Sequence, residues 1–204
     1  LDTARKATEG TLSISRLRDA APRVIADGPL DTLNAALLHD GLHIALQAGQ
    51  RLDKPLAIFV ADGGSTASQT RVIIEAGENA HIDIIEYHLA GAEGSHFANT
   101  VTQLDLAAGA HAGFVRVQVR DSGHSQVGKL SARVQRDATL DYASFDLGGS
   151  MIRQDVSADI LGAGALVSMY GLYLATDQQF IDNHTRVDHR TGPAASREEF
   201  RGIL

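Results

Sequence analysis

The chain has 204 residues, 44% of them hydrophobic, which suffices for one substantial core, and it holds no apolar run of about 18 residues that would cross a bilayer as a helix. Its formal charge of -7 and the lack of any Lys/Arg cluster argue against a nucleic-acid surface, because phosphate contacts need clustered cations. Cysteine is absent, which excludes disulfides, thiolate metal ligands and a cysteine nucleophile in this stretch.

Residues 1-30 show little periodicity, and LSISRLRDAAPRVIADGP reads as a short strand with turns after it. The segment DTLNAALLH (31-39) predicts a short helix opened by Asp31 as N-cap and closed at Asp40-Gly41, with a strand over LHIAL (42-46). This helix is expected to cap the first coil of a repetitive body, so that residues 1-41 form an N-terminal segment and 42-204 the body itself. Lys54-Pro55 restarts extended chain, since the residue before proline disfavours helix.

The body repeats itself. IEAGENAHIDIIEYHL (74-89) returns as LAAGAHAGFVRVQVRD (106-121), VQRDATLDYASFDLGG (134-149) and LGAGALVSMYGLYLAT (161-176), a period of about 28 residues. A worn earlier copy surrounds Gly49, with Leu46, Leu52 and Phe59 near the expected positions. Aligning the copies at Gly77, Gly109, Asp137 and Gly164 gives apolar columns. Ile74, Leu106, Val134 and Leu161 stand before the turn; Ala80, Ala112, Leu140, Val167 and then Ile82, Phe114, Tyr142, Met169 come after it. The columns close with Ile85, Val117, Phe145, Leu172 and with Tyr87, Val119, Leu147, Leu174. Apolar positions two apart indicate strands, and a one-residue phase change between the early and late pairs, which a turn or bulge would supply, predicts about two short strands per copy. The stretches SHFANTVTQLDL, HSQVGKLSARV, SMIRQDVSADI and QFIDNHTRVDH recur at the same interval and supply another strand per turn.

Equivalent residues recurring in one order at one period specify a solenoid, in which like stacks on like. The expected fold is therefore all-β, a right-handed parallel β-helix with a short N-terminal helix as cap. FRGIL at the C-terminus is strand-like with no turn or cap after it, so the chain is expected to be a piece truncated at that end of its stack. No basic-then-apolar leader is visible, which makes the cytoplasm the default compartment.

Nine histidines are the obvious metal candidates. Gly41 interrupts the His39/His43 pair, and odd spacings put His81 and His88, and likewise His184 and His189, on opposite faces of a regular strand, an arrangement that the phase change would reverse for His81 and His88. Carboxylate catalysis on a carbohydrate needs acids stacked from neighbouring coils on one exterior face. Asp83 falls with Val115, Ala143 and Tyr170, and Glu86 with Gln118, Asp146 and Tyr173, so neither column stacks acids in adjacent coils. Asp182 and Asp188, near Arg186 and Arg190, read as surface ion pairs. The stretches DGGS (62-65) and LGGS (147-150) lack the lysine of a phosphate loop and read as turns, and no Ser-His-Asp order emerges from spacing.

The stretch IDNHTRVDHRTGPAASREEFRGIL resembles a signature of the SufB/SufD family of iron-sulfur cluster assembly scaffold proteins, at His189, Pro193, Ser196 and the closing Arg201-Gly202-Ile203. LNAALLHDGLHIAL and then KPLAIF resemble the same family's approach to its β-helix, and the intervening repeats fit, so the likeness spans about residues 30-204. The approach segment and the lack of cysteine look more like SufD than SufB. The resemblance implies a non-catalytic scaffold that pairs with a SufB-like subunit and, through a region absent here, with the SufC-like ATPase. It implies no cofactor in this stretch and iron or a transient iron-sulfur cluster in the assembled complex. His189, on the motif, and His184 are the metal candidates, with a structural role in the coil turn as the favoured reading of His189, and no nucleic-acid or membrane partner is expected. A homodimer through the open last coil is a further expectation. A carbohydrate-active β-helix, lyase or hydrolase, and a structural binding solenoid are the alternatives.

Overall fold

The computed structural model describes residues 11-20, 24, 26-38, 40-61, 67-90, 94-176 and 178-204. His39 and the DGGS turn expected at 62-65 lie outside the described residues. The described elements run β1 (Leu12–Arg16), α1 (Leu17–Ala20), α2 (Pro29–Ala36), β2 (Asp40–Leu46), β3 (Leu56–Ala61), β4 (Ala67–Ala76), β5 (His81–Leu89), β6 (His96–Leu106), β7 (His111–Val119), β8 (His124–Val134), β9 (Thr139–Asp146), β10 (Met151–Ile160), β11 (Leu166–Leu174), β12 (Phe180–His189) and β13 (Ala195–Ile203).

From β2 onward the chain alternates between two sheets. One sheet runs β1-β2-β4-β6-β8-β10-β12 and the other β13-β11-β9-β7-β5-β3, so each coil gives one strand to each sheet. Every pairing of these strands is parallel except β1 with β2, where the antiparallel β1 covers the edge that the first coil would otherwise leave open. This is the expected parallel β-solenoid. No described helix is long and apolar enough to cross a membrane.

The core is a set of true columns. In the first sheet Ile74, Leu104, Ala132 and Ala158 stack, and beside them Ala76, Leu106, Val134 and Ile160. In the second sheet Ile82, Ala112, Leu140 and Val167 stack, with Ile84, Phe114, Tyr142 and Met169 in the next column, all fully buried.

Three of the four aligned copies keep the predicted register after the turn, but the 74-89 copy is displaced by two residues. The turn residue there is Asn79 and not Gly77. Gly49, Asn79, Gly109, Asp137 and Gly164 all adopt positive φ, between 55° and 76°, and each donates its N–H to a carbonyl of the next coil's turn. Asn and Asp tolerate the left-handed conformation because their short polar side chains bond locally, so glycine is not obligatory there. The column through His81, His111, Thr139 and Leu166 gives rungs of 30, 28 and 27 residues. Before the turn, the partner of Val134 is Ile160, so Leu161 falls one place out of the predicted column.

The bulge is also absent. β5 and β7 are single nine-residue strands whose burial alternates from end to end. Val117, Phe145 and Leu172 stack as predicted, but on the outside and with Tyr87 in place of Ile85, which belongs to the neighbouring outer column with Val115 and Ala143.

The helix expected at 31-39 runs instead from Pro29 to Ala36, with Gly28 at its N-cap and Pro at its first turn. It lies against the outer surface of β4 and β6 with its polar side inward. Arg71, fully buried, donates to Asp31 Oδ1 (2.7 Å), Asn34 Oδ1 (3.0 Å) and Gln103 Oε1 (2.6 Å), while Leu30, Leu33 and Leu37 face solvent. Burial alone would raise the Asp31 carboxyl, but the bond and charge of Lys129, the Asp27 N–H and Arg71 hold it below its ordinary value.

Candidate functional site

Because β5, β7, β9 and β11 keep strict alternation, every second side chain points away from the core, and the outward set of this sheet is unusually apolar. Phe59, Tyr87, Val117, Phe145 and Leu172 form one outer column, with the rings of Phe59 and Tyr87 stacked at 5.2 Å. Ala57, Ile85, Val115, Ala143 and Tyr170 form the next. Both helices pack on the other sheet, so among the described residues nothing covers this face. Phe59 is 65% exposed, and a shallow groove between Phe145, Tyr170, Leu172 and the Glu199/Arg201 ion pair opens on it. A contiguous apolar surface on a sheet is what a protein partner buries.

The inner side of the same strand ends is polar. After Ile82 and Ile84, the inward positions of β5 are Glu86 and His88; in β7 they are Arg116 and Gln118; in β9 they are Ser144 and Asp146. Glu86 Oε1 lies 2.7 Å from His88 Nε2 and Oε2 accepts from Thr102 Oγ1 at 3.0 Å. Gln126 Nε2 donates to Thr100 Oγ1 (3.0 Å) and His88 Nδ1 (3.3 Å), which leaves Nε2 of His88 as the protonated nitrogen facing Glu86. Arg120 Nε donates to Gln126 Oε1 at 2.7 Å, and Arg116 Nη1 to Asp146 Oδ1 at 2.6 Å.

Two carboxylates and two guanidinium groups thus share the buried half-core, and their environments shift them. Burial alone would raise the carboxyl of Glu86, but the hydrogen bond and charge of His88, the Thr102 hydroxyl and the Arg116 charge outweigh it and hold it down. Burial opposes the charge of Arg116 too, yet Asp146 first, then Tyr142 and Glu86, raise it above its ordinary value. At Arg120 burial dominates and pulls the guanidinium down to about 10. Burial pushes Tyr142 up to about 12. Arg116 Nε and Nη2 and Asp146 Oδ2 have no protein hydrogen-bond partner among the described residues. Such a lining specifies register and carries charge inside the stack. The sequence pattern missed it because a bulge in each strand would send Glu86, Arg116 and Asp146 outward.

At the C-terminal end, His184 is in the outward column of Asp155, its Nε2 3.0 Å from Asp182 Oδ1, whereas His189 is in the inward column of Ile160, its Nε2 3.0 Å from Ser196 Oγ. The two histidines share no face. Pro193 lies in the turn between β12 and β13 and its carbonyl accepts the Gly164 N–H at 2.7 Å, continuing the stack of turn bonds. Arg201 pairs with Glu199 at 2.6 Å, and Gly202 leaves room for the Tyr173 ring, which an added Cβ would overlap. Asp182 pairs with Arg153, and Asp188 with Arg186 and Arg190, all on the surface. His81 points outward and His88 inward, the opposite faces predicted from their spacing. In the outward column of Asp83, Gly113 separates it from Asp141, so acids do not stack in adjacent coils there.

Residues 59-204 match a family model described as "SUF system FeS cluster assembly, SufBD core domain". The chain is 25% identical over 206 residues to the iron-sulfur cluster assembly protein SufD of Escherichia coli, covering 97% of this chain and 49% of that protein. It is 24% identical over 181 residues to an iron-sulfur cluster assembly SufBD family protein of Mycobacterium bovis, covering 88% of this chain and 43% of that protein. The chain therefore spans about half the length of these curated relatives.

Proposed function

The chain belongs to the SufBD core family of iron-sulfur cluster assembly proteins, and on that premise we propose that it is a SufD-like, non-catalytic scaffold in a cytoplasmic assembly complex. It pairs with a SufB-like subunit, and a SufC-like ATPase, docked through a region outside this stretch, drives the assembly. Iron and the growing cluster are cargo of that complex. The observation that carries the reading is the uncovered outer face built by Tyr87, Val117, Phe145 and Leu172, set on a stack whose turns and core columns are bonded rung to rung. A rigid sheet with an apolar exterior presents a docking face without ordering cost, since its side chains are already held by their neighbours above and below.

The test is affinity capture of the intact tagged chain from its own cells, with its companions identified by mass spectrometry. A second SufBD-type subunit and an ATPase are expected. Phe145→Glu, an outward change, should reduce recovery of the SufBD-type subunit at least about tenfold, as loss of an aromatic anchor does. Undiminished recovery with Phe145→Glu refutes the docking face. Polysaccharide cleavage by the purified chain refutes the scaffold role.

A further inference from the structure

We propose that His81, Asp83 and His111 form a binding site for one divalent transition-metal ion on the outer face of the second sheet. The site stands on its own geometry and does not depend on the scaffold reading. His81 opens β5 and His111 opens β7, and the register pairs them directly, so both imidazoles project from the same column one rung apart. Their rings are stacked at 4.4 Å with an interplanar angle of 9°. Asp83 is the next outward residue on the His81 strand, its Oδ2 3.5 Å from His81 Nε2. One ligand atom from each of the three side chains falls within 4.8 Å of the others. Asp141, one rung further on, brings a second carboxylate to 3.7 Å from His111 Nε2.

The glycine between the two acids shapes the same site. Gly113 holds the position between Asp83 and Asp141 in their column, and a Cβ added there would overlap Asp83 Oδ1. The Asp83 carboxylate occupies the space a side chain would take and so lies over the next rung, beside His111. Arg51 precedes His81 in the histidine column and Thr139 succeeds His111, so the imidazole pair is confined to two rungs.

Metal–nitrogen and metal–oxygen bonds of about 2.0–2.2 Å put tetrahedral donors about 3.4 Å apart. The His81–Asp83 separation already meets this, and the wider spacings close by about an ångström of side-chain rotation, which half-exposed side chains allow. Two neutral imidazoles with one or two carboxylates suit Zn(II), Fe(II), Co(II) or Ni(II), and not Mg(II) or Ca(II), which prefer all-oxygen shells.

The experiment titrates the intact chain with Co(II) and Zn(II) alone, reading Co(II) absorption, calorimetric stoichiometry and broadening of histidine ring resonances. One ion per chain is expected, undisturbed by excess Mg(II). His111→Ala and Asp83→Asn should weaken binding about tenfold or more, since even outer partners of a metal ligand cost about 10–100-fold. Gly113→Ala should weaken it with both histidines in place, because it displaces Asp83. His43→Ala and His184→Ala, histidines elsewhere that also sit beside acids, should leave binding unchanged. Circular dichroism checks that each variant is folded. No saturable binding, binding lost with His184→Ala, or binding indifferent to His111→Ala in a folded variant overturns the proposal.

Discussion

The Arg116–Asp146 pair gives the sharpest test of the polar half-core. The two side chains are 2% and 1% exposed and meet at 2.6 Å. At an effective dielectric of about 20 their attraction is about 6 kcal/mol, most of which offsets the loss of hydration when both ions enter the stack. Removing one partner leaves the desolvation cost without the attraction, which destabilises by about 3–5 kcal/mol. Asp146→Asn should fall at the lower end, because Glu86 still acts on Arg116. In a chain of this length each kcal/mol moves Tm by about 2–4 °C, so a drop of about 6–12 °C is expected from about 3 kcal/mol. The double variant Arg116→Met/Asp146→Leu removes both charges and should return to within about 1 kcal/mol of the parent. Urea unfolding at neutral pH, monitored by circular dichroism, reads the parent, both single variants and the double variant, with Arg116→Met as the second single change. The reasoning fails if Asp146→Asn costs less than about 1 kcal/mol, or if the double variant loses the sum of the two single losses.

The folded carboxyl of Glu86 is held below its unfolded value, so its contribution to stability is fully present above the unfolded pKa of about 4.3 and is lost as pH falls through the folded value. Glu86→Gln should flatten the acid limb of a stability–pH curve; an unaltered acid limb counts against the buried network. In the turns, Gly109 has φ of 68°, and a Cβ there would overlap Asn79 Oδ1. Gly109→Ala should cost at least about 1–2 kcal/mol for the left-handed conformation, and Asn79→Gly in the same chain should restore part of it by removing the clash. A Gly109→Ala chain as stable as the parent would show that the turn column is not positioned by these two residues.

The recurrence in the sequence was enough to read a stack of parallel coils, since a stack is the arrangement that makes Ala112, Leu140 and Val167 neighbours. The turn was harder to place. Gly77 is the glycine nearest the expected position, but Asn79 takes the positive φ, and choosing glycine displaced that copy by two residues. The displacement hid the His81–His111 pair, because it set His81 opposite Gly113. The signal that finds it is the left-handed preference of Asn and Asp, already satisfied by Asp137 in the third copy.

The polar half-core was illegible for a different reason. Glu86, Arg116 and Asp146 read as solvated charges in any single strand, and only rung-to-rung pairing supplies the opposite charges that let them be buried. The same holds for α2, whose Asp31 and Asn34 turn inward because Arg71 on a distant strand receives them.

Local pattern alone determined that this chain forms short strands, that like residues stack at a near-constant interval, and which family it resembles. Tertiary structure decided which side of each strand faces in, where the ions are buried and which side chains of separate rungs converge on one surface. The physical reason is that strand periodicity fixes alternation but not its phase. Phase is set where residues about 30 apart come to lie on neighbouring rungs, with Asn79 over Gly109 in the turns and Glu86 beside Arg116 within the stack.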